Sequence, residues 1–427
     1  MPPQKILLLA YYWPPSGGAG VQRWLKLTHY LAELGVEVHV LTVDPERASY
    51  PHRDGSLLAD IHPAVRVHTT NSFEPIQWYG RLVGQDKVPT GGFANTDTGG
   101  WKQRLVMRLR THLFLPDPRI GWKPFALRRA KAIIREHGIK TIITTGPPAS
   151  VHLIGRALRR RLGVRWIADF RDPWTDIFYY PLLLHSRWSD RRNKQLERSV
   201  LLEADQLVTV SEGFRDLLLA HVPERPAAAT SIIPNGYDPR DFAGSVTLPA
   251  AEGFTIGYTG TMSDQYAPTS FFLALAAVIG QCPAANIRLE VAGTLSDSIR
   301  AQLSALGVPL VALGMVPHDR VTAYQRRADL LLLVVPDESG ARGIFPAKVF
   351  EYLAAGPPIL SLGVATAEVG RVVTTAGRGH HFHRGQVLEM TEFLLAAVGG
   401  TLRLAPDTAV IATYSRAKQA ARFRELL

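Results

Sequence analysis

The 427-residue sequence predicts an α/β protein built from two doubly wound parallel sheets in tandem. Three observations carry that expectation. Short apolar runs of strand length alternate with segments of helical period, and turns bearing glycine or aspartate follow several of those runs. The alternation pauses near residues 232–252 and then restarts, in a chain too long for a single core.

Residues 5–10 form a short apolar strand that ends in Tyr-Tyr-Trp-Pro-Pro-Ser-Gly-Gly-Ala-Gly. Over 21–34, Val21, Trp24, Leu25, Thr28, Leu31 and Ala32 recur at helical spacing, and Gly35 closes that helix as a left-handed cap. Residues 36–43 alternate as a second strand, completing a strand, glycine-rich loop, helix, strand unit. Residues 80–125 break the rhythm. Gly, Pro, Thr and Asn dominate 90–100, and a basic-aromatic stretch runs from Trp101 to Trp122, which reads as an insertion with a mobile loop and an amphipathic helix. Helix 124–136, strand 141–145, helix 150–162, strand 165–170, a helix around 189–204 and strand 206–210 complete the first series.

The second series holds strand 254–258, helix 270–279, strand 287–292, helix 297–306 and strand 308–313. Helix 320–327, strand 330–335, helix 346–355 and strand 359–362 follow, and 409–427 reads as one helix packing back on the first domain. The expected domains are therefore 1–235, 236–408 and the terminal helix 409–427.

Apolar content of 46% with 20% charged residues argues for a folded globular chain and against disorder. Cys282, the single cysteine, can form neither an internal disulfide nor a cysteine-based metal site, which fits a reducing compartment. Apolar runs fall short of a signal peptide or of the roughly 20 residues of a membrane span. The expected location is cytoplasmic, at most peripheral on the inner face of the cytoplasmic membrane. Residues 1–200 hold 30 Lys and Arg against 16 Asp and Glu, a surplus of 14, whereas the remainder holds 18 against 21. A basic first half points to an anionic neighbour: nucleic acid, a membrane surface or a phosphorylated substrate.

Ligands of open parallel sheets bind beyond the carboxyl ends of the strands, so the loops after the strands are where chemistry is sought. Ser16-Gly17-Gly18-Ala19-Gly20 lets backbone N–H groups approach an anion at a helix start; a tight turn needing small residues explains it equally well. Asp169-Phe170-Arg171-Asp172-Pro173-Trp174 places two carboxylates and a guanidinium at a strand end, where they can take a hydroxyl proton or hold developing charge. The plain reading is an Asp-Arg pair bracing a loop. In Pro346-Ala347-Lys348-Val349-Phe350-Glu351, Lys348 stands in the first turn of a helix and Glu351 one turn on. The lysine suits a diphosphate and the carboxylate a ribose, against the commoner fate of a surface i,i+3 pair. Gly257-Tyr258-Thr259-Gly260-Thr261 ends a strand in glycine.

Taken in order, these elements resemble glycosyltransferase family 4 on the GT-B fold. Gly17, Gly18 and Gly20 look like the family's first loop, and Ile-Pro-Asn-Gly-Tyr-Asp at 233–238 is similar to its interdomain signature. Phe-Pro-Ala-Lys-Val-Phe-Glu-Tyr-Leu-Ala-Ala-Gly-Pro-Pro-Ile at 345–359 looks like its donor-binding helix. The Asp-Phe-Arg-Asp-Pro-Trp hexapeptide resembles a subgroup of bacterial enzymes that build surface polysaccharides.

The resemblance implies two Rossmann-like domains facing each other across a cleft, a nucleoside-diphosphate sugar as co-substrate, retention of anomeric configuration and no obligatory metal. No Asp-x-Asp occurs in the sequence, in keeping with the last point. Donor binding is expected from Gly17, Gly18, Gly260, Thr261, Arg342, Phe345, Pro346, Ala347, Lys348 and Glu351, with Lys348 and Arg342 on the diphosphate. Asp172, Asp169 and Arg171 are the catalytic candidates; no metal ligand and no cofactor are expected.

Three departures stand out. Gly343 occupies the place of the family's first glutamate, eight before Glu351. Thr145-Gly146-Pro147-Pro148 replaces the loop histidine, the nearest one being His152, assigned well into the next helix. Thr261-Met262-Ser263-Asp264-Gln265 replaces the Arg and Lys that often follow the Gly260 position.

The expected function is transfer of a hexose-type sugar to an acceptor hydroxyl in surface polysaccharide or glycolipid synthesis. The partners are a nucleotide sugar, a sugar or lipid-linked acceptor and, through the basic stretch 101–122, an anionic membrane surface. Its long cationic side chains equally suit a core-facing helix. Alternatives are a sugar-nucleotide epimerase or hydrolase on the same fold, and a non-catalytic basic protein binding nucleotide or nucleic acid. No nucleic-acid module is recognisable, so nucleic acid is not expected as a partner.

Overall fold

In the computed structural model, which describes residues 3–74, 111–244, 246–264, 267–336 and 341–427, the first α/β series folds into one seven-stranded parallel sheet. Its strands are β1 (Lys5–Leu9), β2 (Glu37–Val43), β3 (Arg66–Thr70), β4 (Thr141–Gly146), β5 (Arg165–Phe170), β6 (Gln206–Thr209) and β7 (Thr230–Ile232), in the order β3-β2-β1-β4-β5-β6-β7. Around it pack α1 (Ala19–Glu33), α2 (Lys123–His137), α3 (Ser150–Leu162), α4 (Arg187–Glu203) and α5 (Glu212–Ala220). After Lys5, strand β1 is apolar because both of its faces are covered. Ile6 and Leu8 join Val21, Trp24, Leu25 and Leu31 of α1, whereas Leu7 and Leu9 join α2 and α3 through Ile133, Val151, Ile154 and Leu158. The helices after the neighbouring strands β1 and β4 thus leave for opposite faces, and the two loops part to open a crevice at the strand ends.

The second series forms a six-stranded parallel sheet from β8 (Thr255–Thr259), β9 (Arg288–Ala292), β10 (Leu310–Gly314), β11 (Leu330–Val334), β12 (Ile359–Leu362) and β13 (Gly379–Phe382), ordered β10-β9-β8-β11-β12-β13. Its helices are α6 (Pro239–Ala243), α7 (Thr269–Gln281), α8 (Asp297–Ala305), α9 (His318–Arg327), α10 (Lys348–Ala355), α11 (Glu368–Thr375), α12 (Val387–Val398) and α13 (Thr408–Thr413); α14 (Arg416–Arg424) follows and returns to the first unit from Gln419. One face is closed by Phe271, Leu275, Leu303 and Leu394, the other by Val349, Leu353, Val369 and Val373. Strand β11, Leu-Leu-Leu-Leu-Val, is buried along its whole length, as a central parallel strand requires.

The chain divides into Met1–Pro234 with Gln419–Leu427, and Asn235–Lys418. Phe423 is 0% exposed and packs edge-on against Trp24, 4.9 Å between ring centres, so the terminus belongs to the first core.

Several elements differ from the expectation. Strand β3 reads Arg-Val-His-Thr-Thr and lies largely exposed at a sheet edge, so it carries no apolar signal. Helices α5, α11 and α12 and strands β7 and β13 are likewise unanticipated. The single helix expected over 409–427 is two, because the backbone of 414–416 pairs with Tyr237: the Tyr237 N–H donates to Tyr414 O and the Arg416 N–H to Tyr237 O. Of the basic stretch 101–122, residues 101–110 lie outside the described residues, as does most of the loop expected within 80–125. Residues 111–113 are helical, with His112 and Leu113 exposed, and beyond them the stretch turns inward. Arg119 is 5% exposed and pairs with Glu74 at 3.3 Å, and Trp122 is buried, donating to Thr70 Oγ1 at 2.8 Å. Among the described residues no helix is long and apolar enough to cross a membrane.

Candidate active site

In the first unit, the loops after β1, β4 and β5 meet at the crevice. Gly17 donates its N–H to His52 O at 3.0 Å, and a Cβ there would lie 2.4 Å from the His52 ring. Gly18 precedes α1 with φ 104°, which favours glycine, and that helix has no side-chain cap. Nearby, Trp13 Nε1 and Ser16 Oγ are buried without a hydrogen-bond partner among the described residues. A Cβ on Gly20 would fall 1.9 Å from Arg171 Nη1, so the smallness of residue 20 makes room for that guanidinium.

The two carboxylates of the Asp-Phe-Arg-Asp motif have different fates. Asp169, the fifth residue of β5, is 0% exposed, and its oxygens accept from Arg23 Nη2 (2.8 Å), Arg23 Nε (3.2 Å), Trp24 Nε1 (2.7 Å) and Thr145 Oγ1 (2.9 Å). Burial pushes its carboxyl up, but the Arg23 charge and these hydrogen bonds outweigh it and hold the pKa below the usual carboxylate range. Asp169 is thus a fully buried brace joining β5, β4 and α1, with no oxygen exposed to a substrate. Arg171 is a second brace: its Nε donates to Gly146 O and its Nη2 to Pro147 O, both at 3.1 Å.

Asp172 is half-buried and accepts no hydrogen bond among the described residues. It lines a cavity of about 210 Å³ together with Tyr12, Gly146, His152, Trp174 and Tyr179. Burial raises its carboxyl above the ordinary value, against the pull of Arg171 and with a further push from Asp169. The loop that carries it is clamped by buried Glu197 on α4, which accepts the Trp174 N–H at 3.1 Å and bonds the Thr175 hydroxyl.

His152 also reaches this cavity. Helix α3 begins at Ser150, so the residue stands in the first turn rather than deep in the helix. It is 1% exposed, stacks on Phe170 with ring centres 4.3 Å apart, and burial lowers its pKa to about 3, leaving a neutral ring. Thr144 Oγ1 receives the Trp166 Nε1–H at 2.8 Å and lies within hydrogen-bond distance of His152 Nδ1, also at 2.8 Å. His152 Nε2 is buried without a partner among the described residues and lies 2.5 Å from where a Cβ on Gly146 would stand. A neutral imidazole thus lines the cavity beside Asp172.

In the second unit, Gly260 follows β8 with φ 107°. Lys348 Nζ lies 3.8 Å from the Tyr258 ring centre and 3.3 Å from the position of a Gly260 Cβ. Helix α10 starts at Lys348 itself, two residues later than expected, because Pro346 and Ala347 form the turn before it: the Val349 N–H reaches back to Pro346 O. Helix α10 has no side-chain cap, so its first N–H groups and the lysine are presented together at the end of β8. Glu351 Oε2 accepts from Gln325 Nε2 at 2.8 Å, and buried Gln325 and Tyr352 both contact Thr259. Thr261 is exposed and its hydroxyl accepts from Thr294 at 3.0 Å. Phe345 stacks on Phe350, a packing role, and Arg342 leans toward Glu368, Nε to Oε1 3.9 Å. The structure therefore gathers Gly260, Lys348, Glu351 and Thr261 around one strand end. Gly17 and Gly18, expected with them as donor ligands, belong to the first unit.

Arg23, Trp24, Thr145 and Glu197, which hold the Asp-Phe-Arg-Asp-Pro-Trp loop, carry no sequence signal of that role. Arg23 and Trp24 sit in a helix whose period announces only a buried face. His152 was within reach, being two residues inside the helix start.

Residues 17–236 match the glycosyl transferase 4-like domain family. No curated protein matches the sequence. Among solved structures, a sucrose-phosphate synthase from Thermosynechococcus elongatus is similar at 15% identity with TM-score 0.63, over 99% of this chain and 98% of that one. The lipopolysaccharide outer core galactosyltransferase WaaB in its apo form is similar at 13% identity with TM-score 0.60, over 99% and 98%. A putative UDP-N-acetylglucosamine 2-epimerase from Listeria monocytogenes is similar at 12% identity with TM-score 0.53, over 99% and 95%. At such identities the likeness speaks for the fold, two parallel α/β sheets of the GT-B kind. With the family match spanning more than half its length, the chain belongs to the glycosyl transferase 4-like domain family.

Proposed function

We propose that the protein is a retaining hexosyltransferase that moves a sugar from a nucleoside-diphosphate sugar to an acceptor hydroxyl, in surface polysaccharide or glycolipid synthesis. The observation that carries the reading is Asp172: a carboxylate without a hydrogen-bond donor among the described residues, on a cavity that neutral His152 also lines. The surface-polysaccharide assignment rests on the hexapeptide 169–174 and on family membership.

The roles divide between the two units. The start of α10, with Lys348, holds the diphosphate, while Glu351 accepts from the ribose hydroxyls. Arg342 and Thr261 border the same ligand. In the first unit the acceptor hydroxyl donates to Asp172, and His152 bonds a neighbouring hydroxyl. The acceptor oxygen bonds the anomeric carbon on the same face from which the diphosphate departs, so configuration is retained; the diphosphate oxygen keeps the electron pair of the broken bond, and Asp172 receives the hydroxyl proton. The absence of Asp-x-Asp supports charge neutralisation of the leaving group by Lys348 and helix N–H groups rather than by a metal. Asp169 and Arg171 position the loop and do not touch substrate.

Incubation with a panel of nucleotide sugars, with and without sugar and lipid-linked acceptors, tests this. Transfer predicts nucleoside-diphosphate release that depends on an acceptor. Release without one assigns a hydrolase or epimerase, the activity named for one structural neighbour. Binding without release assigns a non-catalytic protein.

A further inference from the structure

At the end of the first sheet away from the crevice, three histidines from three elements converge. His39 is the third residue of β2, His68 the third of β3, and His137 the last of α2. One ring nitrogen of each lies within 4.8 Å of those of the other two. Topology explains the meeting. His68 pairs with Leu41, two residues beyond His39, so both rings point to the same face of the sheet, and α2 lies across that face. We infer that His39, His68 and His137 form a binding site for a borderline divalent cation such as Zn²⁺, separate from the transfer chemistry.

The donor set is three imidazoles, which suits zinc with a water in the fourth position. Four-coordinate nitrogen ligands at about 2.05 Å from zinc stand about 3.3 Å apart. His39 Nδ1 and His68 Nε2 are already 3.0 Å apart with their rings parallel to within 4°, and His137, partly exposed at a helix end, needs the larger movement. Glu37 Oε1 lies 3.1 Å from His39 Nε2 and can only accept, so that nitrogen carries the proton and Nδ1 presents its lone pair to the cluster. A carboxylate behind a ligating imidazole is the arrangement that orients such ligands and raises their basicity.

The surrounding charges are mixed. Lys5 and Arg66 flank Glu37 at 3.3 and 3.5 Å, Glu136 lies 3.6 Å from His137, and Arg129 Nη2 lies 3.4 Å from His68 Nδ1. His68 is held neutral by burial and by His39, with its pKa lowered to about 4, and His39 is shifted the same way, chiefly by burial. Binding moves the His68 proton from Nε2 to Nδ1 and turns the exposed Arg129 aside.

Full-length protein stripped with a chelator is titrated with ZnCl₂ in a calorimeter, and with Co²⁺ followed by visible absorption. We expect one equivalent of Zn²⁺ with a Kd of about 10 µM or tighter, and a four-coordinate Co²⁺ spectrum. His68→Asn and His137→Asn alter partly exposed positions and spare the fold; each weakens binding about tenfold or more, and Glu37→Gln weakens it without removing a ligand. Weaker binding in the wild type, or affinity unchanged in the double variant H68N/H137N, overturns the assignment.

Discussion

Two aspartates three residues apart occupy opposite chemical positions. Four donor atoms bond the oxygens of Asp169, whereas Asp172 faces a cavity without one. Asp172→Asn is therefore expected to lower turnover by about 10²- to 10⁴-fold, with nucleotide binding and melting temperature retained; wild-type turnover removes it from the mechanism. Because burial raises the Asp172 pKa, its ionised form is lost at a higher pH than for an ordinary carboxylate. The acid limb of the kcat/KM profile should lie correspondingly high and vanish in the Asn variant. Lys348→Ala is expected to weaken donor binding by about tenfold to a hundredfold, the worth of a charge-assisted hydrogen bond. Calorimetry with the nucleoside diphosphate reads that change; unaltered affinity and rate dismiss the phosphate role.

Elements place these residues through their ends rather than their bodies. The start of α1 supplies Gly20, the end of β4 supplies Gly146, and the loop after β5 supplies Arg171, which ties all three. Gly20→Ala tests that knot. Alanine favours a helix more than glycine does, so the helix itself gains by roughly 1 kcal/mol at most. Its Cβ, however, enters the space of Arg171 Nη1 and displaces the guanidinium from Gly146 O and Pro147 O. The expected outcome is reduced kcat with a melting temperature near wild type; an unchanged kcat shows that the site tolerates a shifted arginine. Helix α4 contributes in a similar indirect way, through Glu197 under the Trp174–Thr175 backbone.

At the scale of the whole molecule, the chain ends where it began. Residues Gln419–Leu427 return to the first unit, with Ala420 and Phe423 fully buried against the α1 side of the sheet. Phe423→Ala is expected to cost about 3–5 kcal/mol of stability, read as an earlier unfolding transition of the first unit in denaturant. A loss within about 0.5 kcal/mol, as for a surface position, contradicts the packing. The two sheets need separate cores because 427 residues exceed what one core can organise.

The sequence alone determined the two α/β series and their class, since apolar runs of strand length and helical periods are local properties of the chain, legible at β11 or α1 without a fold. Polar edge strands such as β3 left no such trace, and helix bounds at 348 and 414 were set by turns and pairing with distant backbone. Only the tertiary structure decided which of two aspartates is a fully buried brace, that Arg119 is an internal partner of Glu74, and that His152 faces a cavity. Hydrogen-bond partners and burial come from residues far apart in the chain, such as Arg23 and Asp169, and no local pattern encodes which of them will meet.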